Sequence, residues 1–394
     1  MGFPQPLSHP RASGMGQINY GIMDASNPVS ENPAATAGIN KTLFATTLLP
    51  EFLLLKNNFS ERSENFSFKI PGFQMVFPVG RIGIFCFGFQ QYLDFNYNFN
   101  YQDTLQFILG VQNNRYEKII KGMGEINQYR ISFSRNLPVL STALGIKFGR
   151  LLGKTIRTYE INFEDAAFSD DHDSTVYQFE GISADLGILY YKNNLTVGGF
   201  YSLPVPLSVE RLQNTNQKAN ATEYRPSQKI RGTYQLPYKI GGGMSFLINQ
   251  KLLTGMDLSW QPWRTGFTSD LLSKNNYANF LHWGMGSEYT HRHTGADHYF
   301  SRIAWRGGYY YEKLHLQTKS SRLESHTVTA GVGLPLNKDR GMLNLALEIG
   351  QRGNISKNDL EEHLYKIHIG VVGTDKWGSR ARLPRKKTNE HSEH

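Results

Sequence analysis

The chain has 394 residues, including 24 Phe, 21 Tyr and 38 Gly, and a formal charge of +9. A mean hydropathy of −0.44 and the lack of any run of about 18 uncharged apolar residues exclude a bundle of membrane helices. The single cysteine, Cys86, excludes an internal disulfide and a cysteine-based zinc site.

In chain order, Met1-Gly2-Phe3-Pro4-Gln5-Pro6-Leu7 has neither a basic nor an apolar leader region, so it reads as a mature or recloned chain, or a misassigned start. Residues 1–41 are rich in Gly, Pro, Ser and Asn and lack alternation. They read either as a disordered leader or as a hatch folded into something larger. From Thr42 onward period-2 alternation dominates, the signature of strands with two unlike faces. Thr42 to Leu49 is a first strand or part of the plug. Ile70-Pro71-Gly72 interrupts a strand pattern and reads as a kink or as a turn. Cys86 lies in an apolar strand, where packing is its expected role.

The clearest alternation is 93–101: Leu93, Phe95, Tyr97, Phe99 and Tyr101 alternate with Asp94, Asn96, Asn98 and Asn100. So heavy an apolar face suits lipid better than a soluble sandwich core. The pattern recurs with Met256, Leu258 and Trp260 against Asp257, and with Trp283, Met285 and Tyr289 against His282 and Glu288. Ile303, Trp305, Tyr309 and Tyr311 alternate with Arg302 and Arg306, and Leu343, Leu345, Leu347 and Ile349 with Glu348. Tyr365, Ile367, Ile369 and Val371 alternate with Lys366 and His368. A charge facing lipid at mid-bilayer costs roughly 2–4 kcal/mol, which assigns Asp257, His282, Glu288, Arg302, Arg306 and Glu348 to the lumen. There they solvate the interior and pair with one another, or bind a carboxylate head group.

Turn chemistry at Lys192-Asn193-Asn194 and Asn337-Lys338-Asp339-Arg340-Gly341, with longer polar loops at 163–174, 213–228 and 271–278, gives the usual asymmetry of a barrel. The fold class is therefore all-β: a transmembrane antiparallel barrel of about fourteen strands, with residues 1–41 as hatch, 42–377 as barrel and 378–394 as a basic tail. Arg380, Arg382, Arg385, Lys386 and Lys387 carry that tail, which is solvated or meets anionic head groups or a partner.

Gly14-Met15-Gly16, Asp24-Ala25 and Asn32-Pro33-Ala34-Ala35 open the chain. Leu236-Pro237-Tyr238 then leads into the Gly-rich Gly241-Gly242-Gly243, and Arg302-Ile303-Ala304-Trp305-Arg306-Gly307 and Gly350-Gln351-Arg352-Gly353 follow. This order resembles the FadL-type outer-membrane transport family. The resemblance implies a barrel in the outer membrane of a Gram-negative bacterium, in contact with lipid and lipopolysaccharide. It implies carriage of hydrophobic small molecules such as fatty acids through a hatch-gated barrel, the ligand moving inward by changes in the hatch or leaving sideways through a gap in the wall, no cofactor, and Asn32, Pro33 and Ala34 in that hatch. Read from the residues alone, Asn32-Pro33-Ala34 is equally an ordinary turn. A basic tail after Trp377 departs from the family pattern, and a branch serving protein secretion shares the N-terminal motif. The alternative function is thus a barrel component or protein partner of an outer-membrane complex. No nucleic-acid partner is implied. Neither Gly-x-Ser-x-Gly nor a P-loop is present, so no enzyme is expected. His291, His293 and His298 beside Asp297 read as a polar loop rather than a metal site.

Overall fold

The structure, a computed structural model, describes residues 3–4, 9–24, 31–57, 62–105, 114–164, 170–217, 228–269, 277–291, 298–318, 321–336 and 341–375. Fourteen antiparallel strands follow one another around a closed wall. They are β1 (Thr42–Asn57), β2 (Arg62–Val79), β3 (Gly83–Asp94, continued by Tyr97–Leu105), β4 (Asn114–Leu137), β5 (Thr142–Phe163) and β6 (Asp171–Lys192). Then come β7 (Leu195–Ser202, continued by Val205–Gln217), β8 (Gln228–Leu236, continued by Lys239–Ile248), β9 (Leu252–Gln261) and β10 (Phe280–Thr290). The last four are β11 (Ala304–Thr318), β12 (Ser321–Leu336), β13 (Gly341–Asn354) and β14 (Leu360–Asp375). β14 pairs with β1 from Leu360↔Asn57 to Asp375↔Thr42, and the sheet closes. Closure pairs the wall's backbone donors and acceptors internally, the condition for crossing hydrocarbon with strands. Among the described residues no helix is long and apolar enough to cross a membrane.

Alternation puts large apolar side chains outside. Leu347, Ile349, Ile367, Val371, Met256, Leu258, Met285, Tyr289 and Trp305 are exposed on the outer surface, while Ala346, Glu348, His368, Asp257, Ser259 and Arg306 between them are buried. Short turns such as those between β4 and β5 and between β6 and β7 lie at the end where β1 begins and β14 stops. By the asymmetry of such barrels that is the periplasmic end.

Ile70-Pro71-Gly72 lies inside one strand. On β1 and β2 the register passes from Thr47↔Gly72 to Leu49↔Lys69, so Leu48 faces two residues, Ile70 and Pro71. This bulge reverses the parity of β2. Phe66, Phe68 and Ile70 face out before it, and Phe73 and Met75 after it. Proline suits the site because it brings no N–H that pairing would have to satisfy.

The strongest alternation in the sequence is the one that the fold redirects. β3 bulges between Gln91 and Leu93 and parts from β2 there, while Tyr97–Leu105 stays paired with β4. Leu93 is buried in the largest apolar cluster, and Phe95 and Tyr97 line an internal cavity. The face expected on lipid therefore looks inward along 93–97, because β3 leaves its neighbour β2 there.

The expected polar interior gives way in part toward the long loops, where charged groups such as Lys69 with Glu51 and Asp94 stand beside an apolar cluster. Toward the long loops the interior is filled by Leu93, Ile126, Leu151, Phe179, Leu207, Tyr234 and Trp263. β7 and β8 each break near a proline, at Pro204 and Pro237, and β9 ends at Gln261 before Pro262. The expected strand 363–372 extends over Leu360–Asp375, and the expected loop 163–174 is shortened by strands reaching Phe163 and starting at Asp171. The tail 378–394 lies outside the described residues.

Ile367 sits midway along the apolar face of β14. Ile367→Arg is expected to lower unfolding stability in lipid by about 2–4 kcal/mol, read as a lower denaturant midpoint with an unchanged slope.

Candidate functional site

Residues 9–24 and 31–40 occupy the periplasmic half of the lumen. A short helix, Pro10–Gly14, leads in; a 3-10 turn, Pro33–Gly38, leads out toward β1. His9 lies outside the spanning strands. Burial first, and then the Arg306 guanidinium, push its imidazole pKa down to about 3. The neutral ring accepts the Arg11 backbone N–H at Nδ1, 3.3 Å away, capping the helix.

Asn32, Pro33 and Ala34 are all buried, Asn32 completely. Asn32 Oδ1 accepts the Ala34 N–H at 3.0 Å, while Nδ2 donates to the carbonyls of Tyr20 at 2.9 Å and of Ile188 on β6 at 3.0 Å. One amide thus ties both hatch segments to the wall. The wall is shaped to receive them. A Cβ on Gly187 would stand 2.2 Å from Asn32 Oδ1, and one on Gly145 would stand 2.4 Å from the Ala34 nitrogen. Neither position tolerates a side chain without displacing the turn.

The lumen charges found by parity surround this hatch. Asp257 Oδ2 accepts the backbone N–H groups of Asn19 at 2.5 Å and Tyr20 at 2.7 Å. Glu288 takes Arg11 in a fork, 2.8 and 2.9 Å, and Arg306 Nε at 2.7 Å. Arg11 also pairs with Asp24, and Arg306 reaches Asn344 at 2.8 Å. Glu348 accepts from Gln17 at 2.5 Å and Tyr310 at 2.9 Å, with His368 3.2 Å away. His282 pairs with Glu312 at 3.2 Å, also on the lumen side. Arg302 is the exception: it ends the 3-10 turn Tyr299–Arg302 ahead of β11 and lies over the Tyr299 ring. It is not a lumen-face strand residue, because β11 starts only at Ala304. The loop carrying His293 and Asp297 lies outside the described residues, and His291 Nδ1 stands 3.2 Å from the Tyr289 hydroxyl.

Parity did not reveal the cavity beyond the hatch. It has a volume of about 400 Å³ and lies toward the long loops. Phe95, Phe179 and Tyr177 stack in sequence, with centroids 5.9 and 6.3 Å apart, and Tyr234 tilts against Phe179 at 5.9 Å. Lys69 edges the cavity between Glu51 at 2.6 Å and Asp94 at 2.5 Å. Arg352 pairs with Glu362 at 3.0 Å. Beside the cavity, residues 62–70 of β2 pair with β1 but with no part of β3, whose pairing with β2 stops at Gly72↔Gln90. The wall thus carries a seam next to an aromatic cavity.

Asn32→Ala removes three buried hydrogen bonds, among them those to the Tyr20 carbonyl of the hatch and the Ile188 carbonyl of the wall. A loss of about 1–3 kcal/mol is expected, read as faster proteolysis within residues 9–40 while the barrel stays folded. Glu288→Ala strands Arg11 and Arg306, and a larger loss of roughly 3–5 kcal/mol is expected in the same assay.

Comparison with solved structures gives the same architecture at low identity. A Pseudomonas aeruginosa FadL homologue superposes with a TM-score of 0.62 at 12% identity, covering 95% of this chain and 99% of that one. The Ralstonia pickettii toluene transporter TbuX gives 0.59 at 14%, covering 93% and 97%. The Pseudomonas putida toluene transporter TodX gives 0.57 at 14%, covering 94% and 98%. These likenesses establish the FadL-type fold, and the neighbours are transport proteins rather than enzymes. No curated protein sequence matches. The sequence profile of the BamG family matches residues 8–383, and the chain belongs to that family of outer-membrane β-barrels.

Proposed function

We propose that the protein carries hydrophobic small molecules from the cell exterior through the lipopolysaccharide layer and releases them sideways into the bilayer. The observation that supports this is the aromatic cavity lying directly beside the seam. Its stacked rings suit apolar ligands, and the toluene transport named for two of the structural neighbours belongs to the same chemical class. Fatty acids fit less simply, because Lys69 and Arg352 at the cavity edge are already paired with carboxylates. On this reading the hatch is a fixed floor rather than a moving gate. The clamp of Asp257, Glu288, Arg306 and Glu348, with the glycine-fitted Asn32-Pro33-Ala34 turn, holds it against the wall. The route that remains is lateral.

A second reading is favoured by a different feature. The adjacent turns between β2 and β3 and between β4 and β5 expose Ile82, Val139 and Leu140, with Val139 98% exposed. An apolar patch at the barrel rim suits a protein partner in an outer-membrane complex.

Mass spectrometry of organic extracts of the detergent-purified protein separates the readings. Enrichment of a discrete apolar compound over a matched control barrel supports transport. Polypeptides at fixed stoichiometry with no enriched compound support the complex. On the transport reading Phe179→Ala weakens binding of a fluorescent apolar probe roughly tenfold or more, the effect of losing about 1.5–3 kcal/mol of apolar burial. Unchanged affinity rules out the cavity as the binding site.

A further inference from the structure

A small void lies between hatch and wall, apart from the aromatic cavity. Its volume is about 20 Å³, room for one water-sized species. His9 of the hatch bounds it on one side and the inner faces of β1 to β4 on the other. Those strands contribute Thr47, Gln74, Gln90 and Arg130, all buried. No carboxylate lines it among the described residues.

The lining is a set of donors. His9 Nδ1 accepts the Arg11 backbone N–H, so the proton of the neutral ring is on Nε2. That nitrogen is buried and has no partner. It stands on the ring edge away from the helix Pro10–Gly14, toward the wall. Arg130 donates through Nη1 to Gln90 Oε1, a neutral acceptor that leaves the guanidinium charge in place. With that oxygen engaged, the Gln90 amide offers chiefly N–H groups. Asp185 and Glu31, the carboxylates that act on Arg130 through space, are paired with Lys147 at 2.8 Å and with Lys239 at 2.6 Å.

A water in this void meets donors on several sides and does nothing for the buried charge. An anion accepts from all of them at once, in charge-assisted bonds with the guanidinium, and offsets a charge that is costly to bury alone. The volume excludes carboxylates, sulfate and phosphate and leaves a halide.

We propose that this void binds a single halide ion, chloride under ordinary conditions, held by His9 Nε2–H and the Arg130 guanidinium with Gln90 beside them. The ion is then a tie between hatch and wall, since His9 belongs to the first and Arg130 to β4. It adds to the ties made by Asn32 and Glu288, and it stands whether or not the barrel carries a ligand.

The test uses the full chain purified in detergent. Crystals soaked in bromide are expected to show an anomalous peak within hydrogen-bond reach of His9 Nε2 and Arg130. Absence of that peak overturns the site and leaves a water there. In solution, proteolysis within residues 9–40 is compared in chloride and in gluconate, an anion too large for the void, at equal ionic strength. Chloride is expected to slow cleavage about tenfold, the linkage for an ion at roughly ten times its dissociation constant. Gln90→Glu places a carboxylate beside Arg130 and is expected to give slow cleavage in both salts. His9→Phe keeps a ring and removes the donor, and is expected to give fast cleavage in both; it lies outside the strands of the wall and so serves if Gln90→Glu does not fold. Equal cleavage of the unsubstituted protein in the two salts overturns the tie. A chloride effect that persists undiminished in both variants puts the ion elsewhere and overturns the assignment to His9 and Arg130.

Discussion

The structure depends on one constraint: in hydrocarbon, each backbone N–H and C=O of the wall needs a partner from the chain itself. Fourteen strands meet it by closing β14 onto β1. The constraint also explains why the departure between β2 and β3 is built as it is. Pro71 sits where the two strands part, and a residue without an N–H leaves one donor fewer to satisfy. The bulge spends Ile70 and Pro71 against a single residue of β1, so β2 stays in the wall on that side while its other edge is released. β3 then turns in, and its aromatic face, lost to the outer surface, becomes the wall of the cavity.

The interior obeys a related rule, that a buried charge must be paired. Arg11 and Arg306 converge on Glu288, and both have further acceptors in Asp24 and Asn344. Removing the hatch would leave Glu288 with one guanidinium and Asp257 with neither of its two backbone donors. The lumen charges and the hatch are therefore a single unit. The charges are tolerated inside because the hatch neutralises them, and the hatch is ordered because the charges bind it.

The sequence discloses much of this through parity, and where parity misleads the reason is specific. Leu347 and Glu348, Ile367 and His368, and Met256 and Asp257 are sorted correctly because β9 and β12–β14 remain in the wall along their length, so period 2 maps directly onto outside and inside. The run 93–101 is the purest alternation in the chain and over 93–97 it is misplaced, because alternation says that a strand has two faces and not where the strand lies. One inserted residue near Tyr92 and the departure from β2 change what both faces touch, and a local pattern contains neither event. Arg302 is misplaced for a simpler reason: the alternation runs back through Ile303 to Arg302, two residues ahead of the start of β11 at Ala304. The hatch turn is legible as Asn32-Pro33-Ala34. Its receptors, Gly145 and Gly187, are two among 38 glycines, and only the approach of the turn distinguishes them.

On the transport reading, a fixed hatch moves the burden of selectivity from the floor of the barrel to its side. A ligand that crossed the periplasmic half would have to break the forked Arg11–Glu288 contact, the Asp257 bonds and the Asn32 ties together, since these share partners and do not open singly. On the same reading, a ligand leaving by the seam passes between residues 62–69 of β2 and the edge of β3, beside the rings of Phe95 and Tyr97 and the compensated Lys69 group. Such a path rejects free ions and strongly hydrated solutes by desolvation, without any dedicated filter.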